Sequence, residues 1–145
     1  MPVECTNCCA DRAERQVNMK TILVVAGDAD MGAFLQCALL QEAAYDVLLA
    51  MQGFEALKVT HYITPQLFIL NYHLPRMNGI ELYDRLHARH NLQATPAILL
   101  STYLPPHQQE ITKRNMRGMS MPLELDELLA TIKTLVAPPV KESAS

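Results

Sequence analysis

The sequence has no tryptophan, five glycines, four cysteines and only 6% aromatic residues among its 145 positions. Each shortage excludes something. Three of the cysteines crowd at Cys5, Cys8 and Cys9 while Cys37 stands alone, which is too few and too uneven for a disulfide framework, so they read as reduced thiols. The C-x-x-C-C cluster offers three thiolates to zinc, but no His or further Cys follows nearby to complete a tetrahedral site. Neither sign of charge dominates: 12 Lys and Arg face 15 Asp and Glu, a net of -3, which excludes a domain built to track phosphate backbones along a basic face. No apolar run approaches the roughly 18 residues a spanning helix needs, and the N-terminal segment is polar where a signal peptide is apolar. The expectation is a cytoplasmic protein that contacts neither nucleic acid nor membrane.

What is present is half apolar, enough for one core: a chain of this length buries roughly 68% of its unfolded surface. Residues 1–19 show no helical or strand period and read as a disordered extension, with Met19-Lys20 a natural start for the folded domain over 20–137. From Thr21 onward, short apolar runs alternate with longer segments of helical period. That alternation marks strands buried on both faces and joined by crossover helices. The strands fall at Thr21 to Ala26, Tyr45 to Leu49, Leu67 to Asn71, Ala97 to Leu100 and Gly118 to Met121. The first helix carries Met31, Phe34, Leu35, Ala38 and Leu39 as its apolar stripe, and the second carries Phe54 and Leu57.

The third helix opens at Asn78, with Glu81 three residues on, a capping box, and buries Leu82 and Leu86. A fourth helix over 107–115 has Ile111 as its main apolar residue and is the loosest element. The fifth carries Leu125, Leu128, Leu129, Ile132, Leu135 and Val136 until Pro138-Pro139 ends it, leaving 138–145 as a flexible tail. Five such units give an α/β fold, a doubly wound five-stranded parallel sheet, whose ligand site lies outside the carboxyl ends of the strands. The residues at those ends are Ala26 to Asp28, Asn71, Ser101 and Met121.

The runs Ile22-Leu23-Val24-Val25, Leu67 to Asn71 followed by Leu74-Pro75-Arg76-Met77-Asn78-Gly79, Pro96 to Ser101, and Met121-Pro122-Leu123 together resemble a response-regulator receiver domain. The resemblance covers Thr21 to Val136 and implies a flavodoxin-like, CheY-like (βα)5 fold in two-component signal transduction. It also implies a chemistry: a phosphoryl group passes from a histidine kinase to an aspartate after the third strand. Two acids after the first strand help to hold Mg²⁺, a hydroxyl after the fourth contacts the phosphoryl group, and a Lys before the Pro after the fifth pairs with it.

At those positions this sequence has Ala26 and Gly27 for the acidic pair, Asn71 for the acceptor and Met121 for the Lys, with only the hydroxyl kept at Ser101. An Asn amide is neither a useful nucleophile toward phosphorus nor a strong Mg²⁺ ligand, so no cofactor is expected. Two carboxylates about 4 Å apart repel by roughly 4 kcal/mol at an effective dielectric of 20, so a neutral site is the more stable one. Asn71 is expected to hydrogen-bond Ser101 while Met121 lies over the emptied site. The aromatic that turns inward in the family falls near Gly118 here.

Other groups have plainer readings. Asp28 sits where a helix N-cap belongs, and Asp30 in the first turn, which outweighs their service as substitute acids. His87 and His90 at i, i+3 lack a third metal ligand, and Met116, Met119 and Met121 fit as gap-fillers. Lys113, Arg114 and Arg117 form a basic group on the face of the fourth helix, fifth strand and fifth helix, which the family resemblance connects with homodimerisation or partner docking. The preferred function is a pseudo-receiver, not an enzyme, acting by phosphorylation-independent contact with a protein partner, a histidine kinase or an output protein. The alternatives are a working phospho-acceptor that uses a non-standard residue, and a small-ligand domain built on the neutral pocket.

Overall fold

A computed structural model describes residues 20–42, 45–89, 92–121 and 123–136. The expected extension over 1–19, with Cys5, Cys8 and Cys9, and the tail over 138–145 lie outside the described residues, as do His90 and Pro122. Five strands form one sheet: β1 (Lys20–Val25), β2 (Tyr45–Ala50), β3 (Leu67–Asn71), β4 (Ala97–Ser101) and β5 (Met116–Ser120), in the order β2-β1-β3-β4-β5. Every neighbouring pair is parallel, with Ile22 opposite Val47 and Leu67, and Asn71 opposite Leu100. Parallel pairing requires crossovers, and helices supply them: α1 (Ala29–Leu40), α2 (Gly53–Val59), α3 (Gly79–His87), α4 (Gln108–Thr112) and α5 (Leu125–Val136).

The strands are apolar at consecutive positions because both faces are covered. In β1, Ile22 and Val24 meet Leu35, Leu39, Leu128 and Ile132 of α1 and α5. Leu23 and Val25 face the other layer, with Leu82 and Leu86 of α3 and Ile111 of α4. This is the period-two alternation of a strand, read out as two cores instead of one core and a wet face. The expected fold class is the one observed.

Several sequence expectations need correcting. Phe34 and Phe54 belong to no buried stripe; they are 48% and 46% exposed, because α1 turns Leu35, Ala38 and Leu39 inward and α2 turns Ala56. The strand expected over 118–121 begins at Met116, where pairing with Ala97 fixes the register and a buried thioether replaces a branched residue. The fourth helix, expected over 107–115, is one 3₁₀ turn (Pro105–His107) and the five residues of α4. It stops early because Asn115 donates its N–H to the Tyr83 hydroxyl at 2.7 Å instead of continuing the helix.

A feature the periodicity did not give is the hairpin after β3, where His73–Leu74 pairs antiparallel with Met77–Asn78. Pro75 and Arg76 close it, and Arg76 has φ 68, the positive value a type II turn needs after its proline. The hairpin delivers Asn78 to the start of α3, where its side chain accepts from the Glu81 N–H at 2.8 Å and the Glu81 carboxylate accepts from the Asn78 N–H at 3.1 Å.

Gly79 then brings α3 against the end of β3. A Cβ there would stand 2.6 Å from the Asn71 carbonyl oxygen and 2.7 Å from Leu99 Cδ1. Alanine normally favours a helix over glycine by about 1 kcal/mol. At this position Gly79→Ala is expected to destabilise instead, by about 1–3 kcal/mol of overpacking, read by urea denaturation.

Candidate functional site

The carboxyl ends of β1, β3 and β4 and the residue after β5 meet at one cavity of about 160 Å³. Asn71, Ser101 and Met121 line it together with Asp28, Met31 and Leu100, and His73 and Thr102 complete its wall. Ala26 is wholly buried in the core that includes Leu35 and Leu39, and Gly27 is exposed beside the hairpin, where a Cβ would meet Pro75 Cδ at 3.1 Å. Sequence position thus brings Asn71, Ser101 and Met121 around a common space. Met31, His73 and Thr102 were missed, although each lies within three residues of a strand end or a helix start, where a sheet of this class places its ligands.

The donor set is short. Ala26 and Gly27 bring no side-chain oxygen, and the Asn71 amide is neutral and half-buried. Asp28 is the N-cap of α1, where its carboxylate accepts from the Asp30 N–H at 3.0 Å. Met121 is half-buried against the core of Val24, Leu100 and Leu128, and its N–H donates to the Ser101 carbonyl at 2.9 Å.

The expected bond between Asn71 and Ser101 does not form among the described residues. Ser101, 4% exposed, instead donates its hydroxyl to the Tyr103 carbonyl and accepts from the Tyr103 N–H, both at 3.3 Å. The local turn after β4 satisfies a buried hydroxyl without needing a partner on β3.

Next to the cavity, Tyr72 links the hairpin to the approach of α4. Its ring stacks on His107 with centroids 4.0 Å apart and meets His73 edge-on at 5.0 Å. Farther down, the ring nitrogens of His87 lie 3.0 Å from the Tyr83 carbonyl and 2.6 Å from the Thr95 carbonyl, so both are engaged within the fold. Met116 and Met119 are buried core residues, as gap-fillers should be.

The basic group divides. Arg114 is drawn inward, to 19% side-chain exposure, and its Nε and Nη2 reach the two Asp84 oxygens of α3 at 2.8 Å each while Nη1 reaches Glu110 at 2.8 Å. It is therefore a clamp between α3 and α4 and not part of a free basic face. Lys113 stands 3.7 Å from Glu110 in solvent, and Arg117 is exposed. Hydrogen bonding from Arg114 holds the carboxyls of Asp84 and Glu110 below their ordinary range and raises the guanidinium above its own.

This fold and site define a class. The family description "Response regulator receiver domain" matches residues 22–133, and the chain belongs to that family. It is 28% identical over 123 residues to the hybrid signal transduction histidine kinase D of Dictyostelium discoideum, covering 82% of this chain and 8% of that protein. It is 39% identical over 67 residues to the alkaline phosphatase synthesis transcriptional regulatory protein PhoP of Bacillus subtilis, covering 46% of this chain and 28% of that one. The chain thus spans less than a third of these two relatives. The fold is that of a chemotaxis response regulator of Vibrio cholerae, with TM-score 0.73 at 24% identity over 81% of this chain and 98% of that one. Receiver domains work in two-component signalling with histidine kinases and output domains. Among the described residues no helix is long and apolar enough to cross a membrane.

The clamp gives a pH dependence with a definite sign. Asp84 has its folded pKa lowered, so its contribution is present above the unfolded value and lost as pH falls through the folded one. Arg114→Ala is expected to destabilise at neutral pH, and the gap to the unaltered chain should hold down to the ordinary carboxyl value of about 4 and narrow only below it, as Asp84 protonates in the folded chain. Paired denaturation curves at several pH values read this, and a gap that stays constant would contradict it.

Proposed function

We propose that this receiver domain keeps the scaffold and has given up the phosphorylation chemistry, so that it signals by protein contact without a phosphoryl switch. One observation carries the reading: at the end of β3 the cavity presents an amide, and beside it stand a hydroxyl already bonded to its own turn, a thioether, and a carboxylate, that of Asp28, already capping α1. Phosphoryl transfer to a carboxylate needs an anionic nucleophile, a metal to neutralise developing charge and a cation to hold the product. Asn71 offers no anionic oxygen and Met121 no charge. Mg²⁺ does not fit the side chains present, because hard octahedral ions take carboxylate oxygens and, among the described residues, Asp28 brings the sole carboxylate lining this cavity, already serving as a helix cap.

The segment that moves in switching relatives has less freedom here. A side chain at Gly118 would meet Ile111 Cδ1 at 3.0 Å and Leu104 Cδ2 at 3.1 Å, so the space for an inward-turning aromatic is filled. Arg114 ties α4 to α3 besides. Such a domain binds its partner constitutively, and the signal is set by how much partner is present. The partner is a protein of the two-component route, a histidine kinase or an output protein, in the cytoplasm. The exposed Arg117 and Lys113, on the face of α4, β5 and α5, are the positions for partner docking or homodimerisation.

An NMR titration with Mg²⁺ and then beryllofluoride, which imitates a phosphoryl group on aspartate, tests the reading. Resonances of Asn71, Ser101 and Met121 are expected to stay in place through both additions. Saturable shifts there that spread to α4 would mean that the site binds metal and phosphoryl mimic, and would end the proposal.

A further inference from the structure

Two methionines, a histidine and an aspartate stand around the cavity at the end of β3. The fold brings them there from three places. Asp28 caps α1 and Met31 lies three residues on, so the two are neighbours across its first turn. Met121 follows β5 and is held at the end of β4 by the bond from its N–H to the Ser101 carbonyl at 2.9 Å. His73 opens the hairpin after β3, and the hairpin packs against the end of β1 at Gly27, where a Cβ would meet the His73 carbonyl oxygen at 3.5 Å.

These groups suit one kind of ligand. A thioether is neutral and polarisable, so it coordinates soft monovalent ions such as Cu(I) and leaves Mg²⁺ or Ca²⁺ to oxygen donors, while imidazole also binds copper. Met31 and Met121 are half-buried, packed against the core of Leu35 and Leu128 yet bordering the cavity. Methionine is commonly a filler of irregular gaps, and a filler closes the space it meets. These two instead border about 160 Å³, which is room for an ion.

The imidazole and the charges agree with this. Among the described residues the His73 ring meets Tyr72 edge-on and its nitrogens take no hydrogen bond, whereas both nitrogens of His87 are engaged. No Lys or Arg lines the cavity among the described residues, so nothing on its wall repels a cation, and Asp28 sets one carboxylate there.

We infer that this cavity is a soft-metal site that takes one Cu(I), held by the Met31 and Met121 sulfurs and the His73 imidazole, with the Asp28 carboxylate favouring positive charge nearby. The inference goes beyond the loss of phosphorylation chemistry and does not rest on it. The Mg²⁺ and beryllofluoride titration tests that loss separately, so either claim can fail alone.

A soft-ion titration of the full chain tests the site. Cys5→Ser, Cys8→Ser, Cys9→Ser and Cys37→Ser together remove the thiols that would compete, and ¹³C at the methionine methyl groups makes each thioether visible by NMR. Ag(I) is the probe, a soft closed-shell ion that needs no reductant. The methyl signals of Met31 and Met121, assigned with Met31→Leu and Met121→Leu, are expected to move together and saturate at one equivalent. Those of Met116 and Met119, buried in the cores, should hold still. Methionine to leucine conserves volume and leaves the fold in place, so either replacement should weaken binding through the lost sulfur alone. The expected loss is at least about tenfold for each, and similar for His73→Gln. Signals of Met31 and Met121 that stay in place at several equivalents would overturn the inference. So would a shift at only one of the two, or one that survives His73→Gln undiminished, because a single accessible thioether would then account for it.

Discussion

Everything in this molecule depends on β3 being enclosed on all sides. It is hydrogen-bonded between β1 and β4, and Leu67 to Leu70 are wholly removed from water by helices on both faces. A strand so placed tolerates no polar side chain along its length, since an unpaired polar group there would cost several kcal/mol. Chemistry is confined to the one residue that emerges at its carboxyl end. That residue is Asn71, and the neighbouring strands end around it.

The same enclosure ties the end of β3, with its neutral Asn71, to the rest of the fold. Gly79 leaves no room for a side chain between α3 and the Asn71 carbonyl, and its N–H donates to the Tyr72 carbonyl at 2.8 Å, so the start of α3 is tied to the end of β3. On the outer side, the Tyr83 hydroxyl takes the Asn115 N–H and Arg114 grips Asp84, so the short α4 is held by polar contacts where its single buried residue, Ile111, could not hold it alone. On the proposed reading, an amide in place of an acceptor carboxylate and an α4 tied to α3 act in the same direction, toward one conformation.

The layout was readable because a doubly covered parallel strand leaves a mark that few other elements leave, and Asn78 with Glu81 fixes a helix start by reciprocal hydrogen bonds. The site positions were readable for a related reason, since strand ends in such a sheet converge. What escaped the sequence depended on contacts between distant residues. The early end of α4 is set by Tyr83, some thirty positions away, and the loss of Arg114 from the basic face by Asp84. Phe34 misled because an apolar residue at helical spacing reads as buried, and only the orientation of α1 over β1 and β2 shows it to be outside. Ser101 misled because a turn two residues long satisfied it before any partner on β3 could.

The most direct measurement is the intact mass of the full chain after incubation with Mg²⁺ and a small acyl phosphate, a donor that phosphorylates working receiver domains without a kinase. A domain whose acceptor is an amide keeps its mass unchanged. A gain of one phosphoryl group, mapped to Asp28, Asn71 or Ser101, would contradict the loss of phosphorylation chemistry at its root.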